Sequence, residues 1–150
     1  MVKSTALSIH AAKASQFDAV VELLARAGLP TRDLTIASID NFLVVADANE
    51  LLGAVALERY ADVGLLRSLV VRPDRRRSGI GVALVDAVEN QARRQGLTCL
   101  ALLTETAKDF FLQRGYAAAV RAEAPKAVQE SSEFATVCPA SATYMVKALV

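Results

Sequence analysis

The sequence predicts a mixed α/β fold, a largely antiparallel sheet crossed once by a helix. Three observations predict it. Phe42 to Ala46, Leu52 to Leu57 and Leu65 to Val71 are apolar runs joined by short polar turns, which reads as an antiparallel meander. From Gly79 onward, Ile80, Ala83, Leu84, Ala87 and Val88 recur at helical spacing, with Asp86, Glu89, Asn90, Arg93 and Arg94 on the other side. A buried-looking run, Thr98 to Leu103, follows that helix, so the helix is a crossover between parallel strands.

Each element has its own signals. Leu7 to Ala11 reads as a short first strand. Ser15 then suits an N-cap, with Asp18 three residues on, and Phe17, Val20, Val21, Leu24 and Ala25 follow helical spacing. Gly28 and Pro30 end that helix, and Thr31 to Asn41 fits either a short helix or a loop. Asp47 to Glu50 and Tyr60 to Val63 are the two meander turns, and Pro73 stops the third strand. Gly96 closes the crossover helix, with Arg93 and Arg94 against the negative end of its dipole. Ala107 to Arg114 reads as a short helix, Tyr116 to Val120 as a strand and Ala142 to Leu149 as a closing strand. The order is β-α-β-β-β-α-β-α-β-β.

Composition narrows the function classes. Seventeen Lys and Arg against 16 Asp and Glu give a net charge of +1, without the basic excess of a general polyanion binder. The 53% hydrophobic content is too high for a disordered chain. No apolar run approaches the roughly 18 residues of a membrane span. Met1 to His10 lacks the apolar core of a signal peptide, so a cytoplasmic, single-domain protein over residues 1–150 is expected. Cys99, Cys138 and His10 are too few for a four-ligand zinc site, and no metal is expected. Reduced thiols suit that compartment, while a Cys99–Cys138 disulfide stays open. The 28 alanines and the apolar closing strand suggest apolar surface beyond one small core, hence a homodimer. No nucleic acid or membrane partner is expected.

The informative stretch runs from Leu69 through Val70, Val71, Arg72, Pro73, Asp74, Arg75, Arg76, Arg77, Ser78, Gly79 and Ile80 to Gly81 and Val82. A strand enters a basic, glycine-containing turn, and a helix starts there. The first amides of a helix have no internal acceptors, and its dipole adds positive potential. Glycines at 79 and 81 let an anion approach the backbone, so the turn reads as a pyrophosphate cradle. Val82 and Ala83 stand where a Walker motif needs Lys followed by Ser or Thr, and Leu84 where a dinucleotide fingerprint needs its third glycine.

Arg76-Arg77-Ser78-Gly79-Ile80-Gly81 instead fits Arg/Gln-x-x-Gly-x-Gly/Ala. It resembles the acetyl-CoA motif of the GNAT superfamily of N-acetyltransferases, and the likeness in strand order extends from Ile9 to Leu149. The resemblance implies a GNAT-like splayed sheet with helices on both faces, opened between the strand ending at Val71 and the strand Thr98 to Leu103. It further implies acetyl-CoA as co-substrate, with pantetheine on the main chain of Leu69 and Val71 and pyrophosphate on the amides of Arg76 to Val82. The Val71 amide would then act as oxyanion donor to the thioester. Residues 66–73, 102–107 with Phe110 and Phe111, and the tail 134–142 look like the arsenic-resistance N-acetyltransferases, which are similar in turn to the acetyltransferase domain of glutamate N-acetyltransferase. That implies a small amino-acid-like amine as acceptor, an arsenical or phosphinic glutamate analogue among the candidates. A protein or peptide acceptor, and a non-catalytic acetyl-CoA-binding module, are the alternative readings.

Many GNAT enzymes protonate the leaving thiolate from a tyrosine where this chain has Phe111, and Thr104 stands where asparagine is common. Water or Tyr144 is the expected substitute, and Phe110 and Phe111 read as core and cleft wall. Glu58 and Glu105 are the candidate bases. Arg67, Arg72 and Thr104 are the candidate acceptor ligands, although Arg72 and Arg75 equally suit a phosphate or solvent. Arg67 interrupts an apolar strand, so it either snorkels at an edge or grips an acceptor carboxylate. Asp62, Glu58 and Asp74 are the sequence-near carboxylates that would make it structural instead.

Overall fold

The computed structural model describes residues 8–48, 50–76, 78–131, 133–134, 139 and 141–149. Seven strands form one sheet: β1 (Ile9–Ala11), β2 (Phe42–Asp47), β3 (Glu50–Tyr60), β4 (Val63–Val71), β5 (Cys99–Thr104), β6 (Ala117–Ala118) and β7 (Thr143–Ala148). Their spatial order is β1-β2-β3-β4-β5-β7-β6, with β4–β5 the parallel pair. Among the described residues four α-helices accompany them: α1 (Phe17–Arg26), α2 (Ile80–Arg94), α3 (Lys108–Gln113) and α4 (Lys126–Gln129).

Strand alternation sorts the side chains onto two faces. Val45, Val55, Leu57, Leu66, Leu100, Leu102 and Met145 meet Ile80, Leu84, Val85, Val88 and Ala92 of α2 and Phe111 of α3. On the opposite face the core is in two patches. Val44, Ala54, Ala56 and Val70 receive Val20 and Leu24 of α1, whereas Leu65, Ala101 and Tyr144 receive Val128 of α4 and Phe134. The seam between these patches is where the functional question concentrates.

β4 changes partner along its length. Val63, Gly64 and Leu65 pair with Cys99, Leu100 and Ala101, and no pairing with β5 follows beyond them. β5 instead continues on β7 through to Thr104. A bulge accompanies the separation: Ala56 faces Arg67 but Ala54 faces Val70, so β4 carries one more residue than β3 there. Ser68 in that bulge has φ +61°, uncommon for a non-glycine residue. The sheet is therefore splayed where the resemblance implied, between Leu66–Val71 and Leu102–Thr104.

Several expectations change in detail. Ser15 lies in a 3-10 turn, Ala14–Gln16, and Gln16 is the N-cap of α1. The Gln16 carboxamide oxygen accepts from the Lys13 amide at 2.9 Å, so the turn is closed by the longer side chain. The segment left open at 31–41 contains a 3-10 helix, Ile36–Asn41, with Thr35 as its N-cap. The strand expected at Tyr116 to Val120 shrinks to two residues, because Tyr116 turns its ring into the core against Phe111. The closing strand is not an edge: β7 lies between β5 and β6 and Met145 is fully buried. β6 pairs with that strand at Met145 and Val146. Leu7, Arg77, Cys138 and most of the tail resemblance lie outside the described residues, and Cys99 is a free, half-buried thiol. No helix among the described residues is long and apolar enough to cross a membrane, and no cluster of metal-ligating side chains is found among them.

Candidate active site

The cofactor half of the site follows from backbone geometry. Arg72 N–H donates to Leu52 O at 2.8 Å, and Gly53 faces Val71 across the ladder. Alternation along a strand then sends the Val71 N–H and C=O the other way, toward the edge that β5 has left. Immediately beyond, Gly79 is the N-cap of α2 at φ +87°, a left-handed conformation that favours glycine. The first helical bond drawn to Gly79 O comes from Ala83 N at 3.0 Å, so the amides of Ile80, Gly81 and Val82 lack helical acceptors. Gly81 serves differently. A Cβ there would sit 3.6 Å from Phe110 and 3.7 Å from Val71, in ordinary contact, yet on the wall of a cleft.

That cleft, about 370 Å³, is bounded by Leu69, Val71, Arg76, Gly81, Ala107 and Phe110. It shares Ala27, Leu29, Leu69, Thr106 and Ala107 with a second chamber of about 330 Å³, which adds Arg67, Thr104, Glu105, Phe111 and Glu133. One slot thus runs through the splay, from the start of α2 to the bulge in β4. The expected cofactor set divides accordingly: Leu69, Val70, Val71, Arg76 and Gly81 line it. Ile80 can contribute only its main-chain amide there, since its side chain is buried in the core, and the half-buried Val82 lines neither part of the slot. The Ser78 hydroxyl donates to Arg75 O, stabilising the turn.

The acceptor chamber differs most from expectation. Arg67 is 3% exposed on the α1/α4 face, in the seam between the two apolar patches. Its Nη1 donates to Asp33 Oδ2 at 2.5 Å and its Nη2 to Asp33 Oδ1 at 3.0 Å, a bidentate fork. Nη1 also meets Glu58 Oε2 at 3.3 Å, and Nε lies 3.7 Å from Glu133 Oε1. Burial works against the guanidinium charge, and Asp33, Glu133 and Glu58 together more than restore it. The empty anion pocket expected around Arg67 is therefore filled by the chain's own carboxylates. A guanidinium this deep needs fixed partners, and the fold supplies three. Of the sequence-near candidates only Glu58 is among them; Asp62 meets Thr98 and Asp74 meets Arg72.

Other expected residues are redistributed. Tyr144 packs its ring on Phe134, centroids 5.5 Å apart, and is not among the residues lining either part of the slot. Its partner on β5 is Leu103, and that register turns it into the α4 patch. Arg72 lies outside the acceptor chamber, hydrogen-bonded to Asp74 at 2.7 and 3.0 Å. Thr104 lines the chamber, but its hydroxyl accepts from the Ala107 amide at 3.0 Å and so fixes the entry to α3. Glu105 lines the mouth and is exposed. Glu58 is behind the wall, its other oxygen accepting from Tyr60 Oη at 2.7 Å. Phe110 and Phe111 form slot wall and core in edge-to-face contact, as their sequence suggested. Sequence reasoning passed over Asp33 and Glu133, which sit in stretches without periodicity; the signal available was the unpaired positive charge of Arg67 itself.

Comparison with known proteins agrees with this geometry. A family model described as acetyltransferase (GNAT) domain matches residues 38–118. An amino-acid acetyltransferase of Pseudomonas putida is 34% identical over 89 residues, 58% of this chain and 21% of that protein. The corresponding protein of Yersinia pseudotuberculosis is 32% identical over 88 residues, 57% of this chain and 20% of its own length. The chain thus spans about a fifth of the curated relatives it matches. Among solved structures, N-acetylglutamate synthase from Neisseria gonorrhoeae, complexed with coenzyme A and N-acetyl-glutamate, superposes with TM-score 0.85 at 22% identity, over 99% of this chain and 36% of that one. A GNAT-family acetyltransferase from Staphylococcus aureus gives TM-score 0.82 at 17% identity, over 97% of this chain and 100% of its own. With the family model matching more than half of its length, the chain belongs to the GNAT acetyltransferase domain family.

Proposed function

We propose that this chain transfers acetyl from acetyl-CoA to the primary amine of a small amino-acid-like molecule. The observation that carries this reading is the continuous slot, with an outward-facing Val71 amide and the free amides of α2 at one end and a small charged chamber at the other. Pantetheine laid along Leu69–Val71 would replace the missing β5 pairing, and the Val71 amide would stabilise the oxyanion of the tetrahedral intermediate. The acceptor chamber, about 330 Å³, is at the small end of ligand pockets. That size favours an amino acid over a folded protein segment. No tyrosine lines the slot among the described residues, so the departing thiolate takes its proton from solvent.

The test is an acetyl-transfer assay over free amino acids, with glutamate and its arsenical and phosphinic analogues included because of the resemblance in residues 66–73 and 102–107. The expected result is stoichiometric release of coenzyme A and acetylated product with at least one of them. Background hydrolysis with every amine would overturn the proposal. Gly81→Leu separates the cofactor half: acetyl-CoA affinity in calorimetry should fall at least tenfold, with little change in Tm.

A further inference from the structure

An acceptor that carries a carboxylate needs a cation to hold it, since an anion buried without one is strongly disfavoured. Among the described residues, Arg67 is the cation whose side chain lines the acceptor chamber. Its donors are engaged within the chain. Asp33 takes the bidentate fork, Glu58 lies 3.3 Å from Nη1 and Glu133 lies 3.7 Å from Nε, which also donates to Ser68 Oγ at 3.3 Å. The Arg67 side chain is 1% exposed, so an incoming carboxylate reaches it only by displacing one already there. Other cations of the site lie elsewhere. Arg76 lines the cofactor cleft, and Arg26 and Arg72 line a cavity beside α1, paired with Glu22 and Asp74.

The charge around the chamber has the sign that repels a carboxylate. Asp33, Glu58 and Glu133 surround Arg67, and Glu105 stands exposed at the mouth. Arg32 acts on Asp33 from the neighbouring position. Four carboxylates against two guanidinium groups leave these surroundings two charges negative. Residues 132, 135–138 and 140, the sequence neighbours of Glu133, carry no charged side chain and do not alter that balance. Leu66, Leu69, Leu102 and Phe111 supply apolar walls. Such walls focus a field into the space between them, so the chamber attracts cations and repels anions.

We propose that the acceptor is a small cationic amine, either a basic amino acid or the diamine left when its carboxylate is removed. This inference rests on the acetyl-transfer reading above and names its substrate class. The reacting amine would face the cofactor cleft. The second cation would face the Glu105 carboxylate, which it can meet without displacing any partner of Arg67. An acidic amino acid brings a second carboxylate into this field instead, and like charges brought together cost affinity.

The experiment uses the full chain and compares glutamate, glutamine, lysine and diaminopentane as acetyl acceptors at saturating acetyl-CoA. Acceptor kcat/KM should rise in that order, with diaminopentane about tenfold or more above glutamate, the scale of a like-charge penalty. Glutamate turned over as well as lysine and diaminopentane would overturn the inference and leave acetyl transfer to an amino acid standing. Turnover of none of the four, nor of any other amino acid, defeats the functional reading and this inference with it. Glu105→Lys reverses the charge at the mouth on an exposed side chain. The ratio of diaminopentane to glutamate should then fall about tenfold or more, and acetyl-CoA affinity should stay within about twofold, as for an independent site. That ratio is blind to a general loss of activity, so a merely structural role of Glu105 would not move it. If Glu105→Lys loses acetyl-CoA binding, Glu105→Gln decides, with a fall in the ratio of about threefold or more expected. An unchanged ratio in the deciding variant would overturn the inference.

Discussion

At the scale of single residues, Arg67 shows what a sequence discloses and what it withholds. An arginine inside Leu65-Leu66-x-Ser68-Leu69 announces a buried charge needing a partner. Which carboxylate answers is a long-range property. Asp33 reaches it from 34 positions away, through a connection without periodicity, and the bulge at Ser68 shapes the strand beside it. The pairing has a measurable consequence. The hydrogen bond from Arg67 holds the Asp33 carboxyl below its ordinary range, with burial opposing. A depressed carboxyl contributes stability above its unfolded pKa, about 3.9, and loses that contribution as pH falls through the folded value. Asp33→Asn should therefore lower the urea midpoint at pH 6–7, with the difference from wild type shrinking below about pH 4. A constant difference across that range would show that the ion pair is not its source. Removing Arg67 should do more. Arg67→Ala strands three carboxylates in the seam and should cost about 3–5 kcal/mol, the range for breaking a buried pair.

At the scale of elements, the meander and the crossover were legible because period-2 and period-3.6 patterns are local. Ile80, Leu84, Val85, Val88 and Ala92 of α2 all reach the core, and three of them, Ile80, Leu84 and Val88, are among the residues whose spacing identifies the helix. The glycine pair was legible too, and the structure gives its members separate reasons: left-handed backbone at Gly79, open wall at Gly81. The short elements were less so: β6 is two residues of the strand expected at Tyr116 to Val120, the helix at Ile36–Asn41 settles a segment that fitted helix or loop, and α4 carried no signal. α4, β6 and the 3-10 helix at Ile36–Asn41 are held by tertiary packing of Val128, Tyr116 and Ile39, which no short window reveals. Gly64 was also passed over. A Cβ there would lie 2.7 Å from Leu100 and 2.8 Å from Leu57, within the three-residue ladder that joins β4 to β5. Gly64→Ala should thus destabilise the fold by about 1–3 kcal/mol, as overpacking does. Because that ladder sets where the splay begins, acetyl-CoA affinity should fall as well. Chemical denaturation and calorimetry on the same variant check both parts, and an unchanged midpoint would show that β5 yields without cost.

At the scale of the molecule, the sheet is two sub-sheets hinged at that short ladder, β1–β4 on one side and β5, β7 and β6 on the other. Each face has a buried polar anchor across the join. On one face Arg67 ties β3 and β4 to Glu133, whose neighbour Phe134 packs its ring on Tyr144 of β7. On the other, Glu89 of α2 takes Lys147 Nζ of β7 at 3.0 Å and Tyr116 Oη at 3.0 Å, and Lys147 also donates to Arg114 O at 2.9 Å. Lys147→Ala leaves Glu89 buried with less compensation and should lower stability by about 3 kcal/mol, at the low end for a buried pair because Lys147 is partly exposed. A ligand lying between the sub-sheets binds only when both are in place. By mass action, acetyl-CoA at a hundred times its Kd should add about 2.7 kcal/mol. For a chain of this length that corresponds to a rise in Tm of roughly 5–11 °C. Lys147→Ala should show the same rise from a lower starting point, since the anchor lies on the α2 face and does not line the slot. Thermal scans of both proteins with and without acetyl-CoA test this. A rise lost in Lys147→Ala would mean that the anchor shapes the slot rather than merely holding its walls together.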